Sequence, residues 1–472
     1  MTIPSYDLLV IGGGPAGSSA ALAAAMFGKS VALIEMAEKV GGAGINTGTI
    51  PSKTLRENAL VIAGAKARAL ACLEVVVTPN ATLAALTHQV LAVERVIRNE
   101  WEARFDQHNV AMIFGQATCL DAHIIAVTGR DGVVTQVRGE RIMIATGSSP
   151  VHPPGFDFAH DRIHDSNEIL DIVELPKQLA VVGAGVIGSE YACTFAALGV
   201  EVHLIDGRDS LMPFLDQEIS GCIHEGMRAA GINIHFQEKV VACDSPANGP
   251  LTLTLSSGAT VVVSDVLVAS GRSSNTERLG LELTGITLGK RGLVPVNAWY
   301  QTEIPHIYAT GDVVGAPALA ATSMEQARVA VCHAFGIMEK VLSPLLPTGI
   351  YTIPEAGAVG ATEAELTAAG TPFIIGRAKY RHNPRGRIIG DVHGLLKLIF
   401  HRDTKRLLGV HVVGEQATEL VHVGMMAMLG DGTIDTFNRA CFNYPSLGDL
   451  YKYAAYEALL RDRADIHAPV VS

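Results

Sequence analysis

The residues best placed to do chemistry in this chain fall into two sets that share one spacing. Gly12, Gly14 and Gly17 follow the apolar run Asp7-Leu-Leu-Val-Ile as G-x-G-x-x-G, and Glu35 closes the next apolar run, Ser30-Val-Ala-Leu-Ile-Glu35. Gly183, Gly185 and Gly188 follow Leu179-Ala-Val-Val182 in the same way, and Asp206 comes directly after Val200-Glu-Val-His-Leu-Ile205. In each set the first glycine allows a tight turn. The second lets backbone N–H groups approach a pyrophosphate at a helix N-terminus, and the third lets helix and strand pack closely. The acid is placed to hydrogen-bond ribose hydroxyls. One such set alone is weak, because glycine-rich turns are common. Two complete sets, each with strand, helix, strand and acid in order, imply two dinucleotides bound at once.

The elements that must position these residues alternate strand and helix. A helical pattern runs on from Gly17 to Phe27 and stops at Gly28. The stretch Gly41 to Lys53, GGAGINTGTIPSK, leads through Pro51 into another helix, where a proline in the first turn lacks only an N–H that would have no partner. Lys53, Arg56 and Glu57 lie on that helix, and on pattern alone such a lysine reads as a solvated face. Leu83, Leu86, Val90, Val93, Ile97 and Trp101 make a core-facing stripe along a helix from Thr82 to Phe105. Arg141 to Pro150 reads as a strand closing into a tight turn at Gly147. The Pro/Leu-rich run from Leu342 marks a boundary, and alternating strand patterns such as Leu395–Phe400 and Leu408–Val413 follow it.

With 472 residues, 48% of them apolar, the chain has material for about three domains with large buried cores. A net charge of -11 and the lack of a Lys/Arg run speak against nucleic-acid and anionic-lipid partners. The start, Met1 to Tyr6, has neither the basic nor the apolar part of a secretory signal, and no apolar run has the ~20 residues of a membrane span. Cysteines 72, 119, 193, 222, 243, 332 and 441 are scattered without C-x-x-C or metal-ligand spacing, so the expectation is no metal and a reducing cytoplasm.

From end to end the chain resembles the pyridine nucleotide–disulfide oxidoreductases. The resemblance rests on the two fingerprints, GGAGINTGTIPSK, the Ala-Thr-Gly147 turn, Leu267-Val-Ala-Ser-Gly271-Arg-Ser-Ser-Asn275 and Ile307-Tyr-Ala-Thr-Gly-Asp312. It implies an α/β fold with two Rossmann-like dinucleotide-binding domains and an α+β C-terminal dimerisation domain. The implied division is an FAD domain over 1–155, an NAD(P) domain over 156–274, the rest of the FAD domain over 275–345 and the interface domain over 346–472. It also implies FAD in the first unit, NAD(H) or NADP(H) in the second and a homodimer. Lys53 would lie beside the flavin N5, paired with Glu190, and Asp312 would hold the ribityl chain.

Where that family carries its redox disulfide, C-x-x-x-x-C, this chain has Gly44 and Thr49, which form neither thiolate nor disulfide. Where the family delivers a His…Glu pair to the partner's disulfide, this chain has Tyr444 and Asp449. Tyrosine, with a pKa of about 10, is no base at neutral pH. Tyr444 and Asp449 join Lys53 and Glu190 as candidate catalytic positions. Asp206 suits the free 2′-OH of NAD(H), while Arg208 suits the 2′-phosphate of NADP(H). Both together fit dual use, and equally an NAD site with an outward arginine.

Within the family, Gly48 to Arg56, Phe214 to Glu218, Pro347 to Glu355 and Phe442 to Pro445 resemble the FAD-containing, Si-specific pyridine nucleotide transhydrogenases. That implies ping-pong hydride transfer between NADPH and NAD+. A diaphorase or quinone reductase, and a low-turnover redox-sensing flavoprotein, are the alternatives.

Overall fold

The computed structural model describes residues 3–67 and 79–467; Cys72 and the Leu83 side chain lie outside that description. Strand β1 (Ser5–Ile11), helix α1 (Pro15–Met26) and strand β2 (Val31–Glu35) form a βαβ unit, with β1 and β2 parallel. Leu8 and Leu9 point to opposite faces of β1 and both are fully buried. A parallel strand covered on both faces is apolar at every position, which is why this run does not alternate. Helix α2 (Thr49–Ala67) begins after a short π-helical turn at Ala43–Thr47. Helix α3 (Pro79–Gln107) contains the whole expected amphipathic stretch.

Strands β3 (Ala111–Phe114), β4 (Gln116–Cys119), β5 (Ile124–Thr128) and β6 (Val134–Ile144) complete the first sheet, in the order β3-β2-β1-β6-β5-β4. The strand Ile307–Ala309 returns to pair with β6 in parallel, so residues far apart in sequence share one sheet. A two-stranded ribbon, β7 (Ser148–Pro150) with Arg272–Ser274, joins this sheet to a second one.

The second sheet is wholly parallel. It contains β8 (Ile163–Asp165), β9 (Gln178–Val182), β10 (Glu201–Asp206), Asn233–Phe236 and Asp265–Val268. Helix α4 (Val186–Ala197) follows β9 as α1 follows β1, and α5 (Gln217–Ala229) follows β10. Ile219 and Ile223 of α5 share a core with Ile350, Leu395 and Val413, so the second unit and the C-terminal sheet are packed as one body. Helix α6 (Ala320–Phe335) lies on α1, where Ala20, Ala24, Ala327 and Ala330 let two helices meet without large side chains.

The C-terminal sheet is antiparallel, running from Thr348–Ile350 through Ala356–Gly360, Leu407–Val413 and Leu395–His401 to Phe373–Lys379. Helices Ala417–Leu429 and Leu450–His467 cover it. Among the described residues no helix is long and apolar enough to cross a membrane.

Candidate functional site

The first and third glycines of the two turns share one geometry. Gly12 and Gly183 hold φ of +104° and +109°, conformations that favour glycine. A Cβ on Gly17 would lie 1.8 Å from the Gly12 carbonyl oxygen, and one on Gly188 would lie 1.9 Å from that of Gly183. These third glycines are what allows helix and strand to approach so closely. The middle glycines differ: a Cβ on Gly185 would meet nothing within 4 Å, and one on Gly14 only the Gly42 Cα at 3.9 Å. Open space over the N-termini of α1 and α4 is what a pyrophosphate needs, so the residues present fit dinucleotides in both units.

The two acids have a second duty that the sequence reading missed. Glu35 accepts hydrogen bonds from the Gly13 N–H at 2.7 Å and the Ala37 N–H at 2.8 Å. Asp206 accepts from the Ala184 N–H at 2.6 Å. In both units the acid lies 22 residues after the loop residue it holds, so each acid braces its own glycine-rich turn. That common offset was present in the sequence and is the signal that could have revealed the bracing.

Arg208 folds back onto Asp206, with Nε at 2.8 Å and a terminal nitrogen at 2.7 Å, while the Arg208 backbone N–H donates at 2.9 Å. Burial alone would raise the Asp206 pKa. Hydrogen bonds from Arg208 and the Ala184 N–H outweigh it and hold the carboxyl at about 2.

Lys53 and Glu190, from α2 and α4, meet with Nζ 2.5 Å from Oε2, although 137 residues separate them in sequence. The other oxygen of Glu190 accepts the Tyr351 N–H at 2.8 Å. The Lys53 Nζ also lies 5.0 Å from the centre of the Tyr351 ring. Buried Arg56 donates twice to the Thr352 carbonyl, at 3.2 and 3.0 Å, and pairs with Glu355 at 3.0 Å. The sequence reading placed Arg56 on the helix without a partner and quoted Tyr351 and Glu355 only within a run, giving Tyr351 no role because its partners are on other elements.

Asp312 accepts a hydrogen bond from the Ser148 hydroxyl at 2.6 Å. Arg272 donates to the Ser148 hydroxyl at 2.8 Å and to its carbonyl at 2.6 Å. Gly147 and Gly271, each beside one of these residues, hold φ of +68° and +111°. Ser148 and Arg272 therefore connect the ribbon between the two sheets to Asp312, a link the sequence reading did not contain.

Gly44 is buried in the π-helical turn, and an added Cβ there would stand 2.4 Å from Cγ of Pro15. The ring of Pro15 thus takes up the space that a side chain at 44 would need. Thr49 opens α2 and is exposed. On α4, buried Cys193 has its thiol pushed up to about 12 by desolvation, so it offers no thiolate in place of the missing pair. Tyr444 is 74% exposed, and Asp449 lies just before the last helix. The hydrogen bond from Asn383 to the Ser446 carbonyl ties their segment to the C-terminal domain rather than to the Lys53–Glu190 pair of the same chain.

Comparison with known proteins agrees with this layout. The model of the pyridine nucleotide-disulphide oxidoreductase family matches residues 6–333, and that of its dimerisation domain matches residues 346–455. Soluble pyridine nucleotide transhydrogenase of Mycobacterium tuberculosis is 43% identical over 97% of this chain and 98% of its own length. Its namesake from Vibrio cholerae is 40% identical over the same shares. Among solved structures, LpdA from Mycobacterium tuberculosis superposes with a TM-score of 0.89 at 27% identity, covering 96% of this chain and 99% of that one. The HOCl-induced flavoprotein disulfide reductase RclA from Escherichia coli superposes with a TM-score of 0.85 at 27% identity, covering 95% and 99%.

Proposed function

The chain belongs to the pyridine nucleotide-disulphide oxidoreductase family of FAD-dependent enzymes that use NAD(P)H, and we propose that it transfers hydride between NADPH and NAD+. One observation carries this reading: the Lys53–Glu190 pair is assembled at 2.5 Å while the positions of the redox cysteines hold Gly44 and Thr49. Lys53 keeps the machinery of the nicotinamide side, and the far side has no thiol to receive what that machinery delivers. The name carried by the relatives at 43% and 40% identity points the same way.

When bound, FAD supplies the hydride-accepting and hydride-donating ring. The chain's own residues bind, orient and tune. In our reading the α1 loop with Glu35 holds the adenosine end of FAD, and Asp312, set by Ser148, holds its ribityl chain. The α4 loop takes the two nicotinamide nucleotides in turn, giving ping-pong kinetics and Si-specific transfer. Lys53 keeps a positive charge near the flavin N5, and Glu190 fixes and tempers that charge. Arg208 swings from Asp206 to a 2′-phosphate when NADPH is present and stays home when NADH is present. Tyr444 and Asp449, reaching the partner's site in a cytoplasmic homodimer, line the far face without base chemistry.

Steady-state turnover with NADPH and thio-NAD+ tests this reading. Thio-NADH formed in step with NADPH loss supports it. NADPH oxidation that starts only on adding a quinone or dye moves the assignment to a diaphorase, and absence of turnover with every acceptor moves it to a redox sensor.

A further inference from the structure

We propose that Tyr351 is a positioning residue that fixes the Lys53 ammonium through its ring and the Glu190 carboxylate through its backbone N–H. The inference rests on the reading that Lys53 tunes the bound flavin.

Tyr351 follows the edge strand Thr348–Ile350 and belongs to none of the hydrophobic core clusters among the described residues. Its neighbours are polar and charged. Lys53 Nζ stands 5.0 Å from the ring centre and the Arg56 guanidinium carbon 5.9 Å, both within the range at which a cation is drawn to an aromatic face. Thr418, which borders Gly349 as the Tyr351 ring does, donates to Glu355, the partner of Arg56. The backbone N–H and the ring of one residue therefore engage two different helices, α4 and α2.

The need for such a residue follows from lysine itself. Its four-carbon stem is flexible and its ammonium accepts partners from any direction. The contact to Glu190 at 2.5 Å and a long one to the Ser52 hydroxyl at 3.4 Å leave one side of the ammonium unconstrained. With 26% of the Lys53 side chain exposed, water competes for the ammonium. A ring face on a second side removes that freedom. Gly349 lies beside both: an added Cβ would be tight against the Thr418 methyl carbon at 3.2 Å and in ordinary contact with Cε2 of Tyr351 at 3.5 Å.

The test is the midpoint potential of the bound flavin, measured on holoenzyme by equilibration with a reference dye. Tyr351→Leu keeps the backbone N–H and removes the π face, so the Lys53 charge spends less time at its site. The equilibrium constant for flavin reduction by NADPH is expected to fall on the order of tenfold, which is about 30 mV for a two-electron couple. Tyr351→Phe keeps the ring and should keep the potential. In a Lys53→Met background, Tyr351→Leu should change nothing further. An unchanged potential in Tyr351→Leu, the same fall in Tyr351→Phe, or an equal fall in the Lys53→Met background each overturns the proposal. If Tyr351→Leu loses its flavin, Tyr351→Met carries the same comparison. The potential does not depend on which acceptor reoxidises the flavin. A parent enzyme that fails to reduce NAD+ would sink the transhydrogenase reading alone.

Discussion

At Gly188 an added methyl group has nowhere to go, whereas at Gly185 it finds nothing within 4 Å. Gly188→Ala should therefore disrupt the second dinucleotide unit and reduce the yield of folded protein. Gly185→Ala should give a folded, flavin-loaded enzyme whose KM for nucleotide rises at least tenfold, because the methyl occupies the space reserved for a pyrophosphate. Flavin content and KM, read on the same preparations, separate the two. Arg208 carries a second expectation. Arg208→Ala should raise the KM for NADPH on the order of tenfold while changing that for NADH little, since only the former has a 2′-phosphate to lose a charge-assisted contact. Equal effects on both nucleotides would show that Arg208 acts only by restraining Asp206. The sign of the pH effect is also set. Asp206 is depressed to about 2 in the folded chain, below its ordinary value near 4, so it stabilises the fold above about pH 4. That contribution fades as pH falls from about 4 toward 2.

Between elements, the joint of α5 with the C-terminal sheet is a buried ionic cluster. Lys397 and Asp216 have side chains only 1% exposed, and the Lys397 Nζ lies 2.9 Å from Asp216 and 2.7 Å from both Glu218 and Glu363. Asp216 also caps α5 through the Glu218 N–H. Lys397→Met would leave Asp216 as an uncompensated buried charge, a loss of about 3 kcal/mol or more. The expected result is a lowered denaturation midpoint with flavin still bound in the native protein. A variant as stable as the parent would show that Asp216 is neutralised another way. Hydrogen bonding from Arg377 holds Glu218 at about 2, so this joint too weakens as pH falls below about 4.

These elements also show what was legible in advance. The glycine loops, their strands and their acids could be read because each signal lies within some thirty residues. Gly44 and Thr49 could be read because the pattern around them is dense. Lys397 could not: in Leu395-Leu-Lys-Leu-Ile-Phe400 it resembles any solvent-facing strand position, and its partner Asp216 is 181 residues away. Ser148, Arg272 and Tyr351 were missed for the same reason, since each acts through a partner on a distant element.

Over the whole molecule, the second parallel sheet is inserted between the two parts of the first, and the C-terminal sheet packs against that insertion. Lys53, Glu190 and Tyr351 come from these three bodies and meet at one point, so their geometry reports on how the bodies sit together. The surface of the dimerisation domain is the other large-scale feature. Met426, Leu429, Tyr453 and Leu460 remain exposed on the two helices that cover the C-terminal sheet. Large apolar side chains left exposed on the two helices of the domain matched as a dimerisation domain are candidates for the contact with a second copy. Sedimentation should give about twice the mass of one chain. Met426→Asp combined with Leu460→Asp should shift it toward one chain, and an unchanged mass would place the contact elsewhere.

Hydride arriving from one nicotinamide nucleotide should leave to another. Under anaerobic conditions, one equivalent of NADPH is added to the flavin-loaded enzyme, followed by NAD+, while flavin absorbance and NADH are recorded. Rapid return of the oxidised flavin spectrum with a matching amount of NADH is the predicted result. Flavin that stays reduced until a quinone or oxygen is supplied would contradict it.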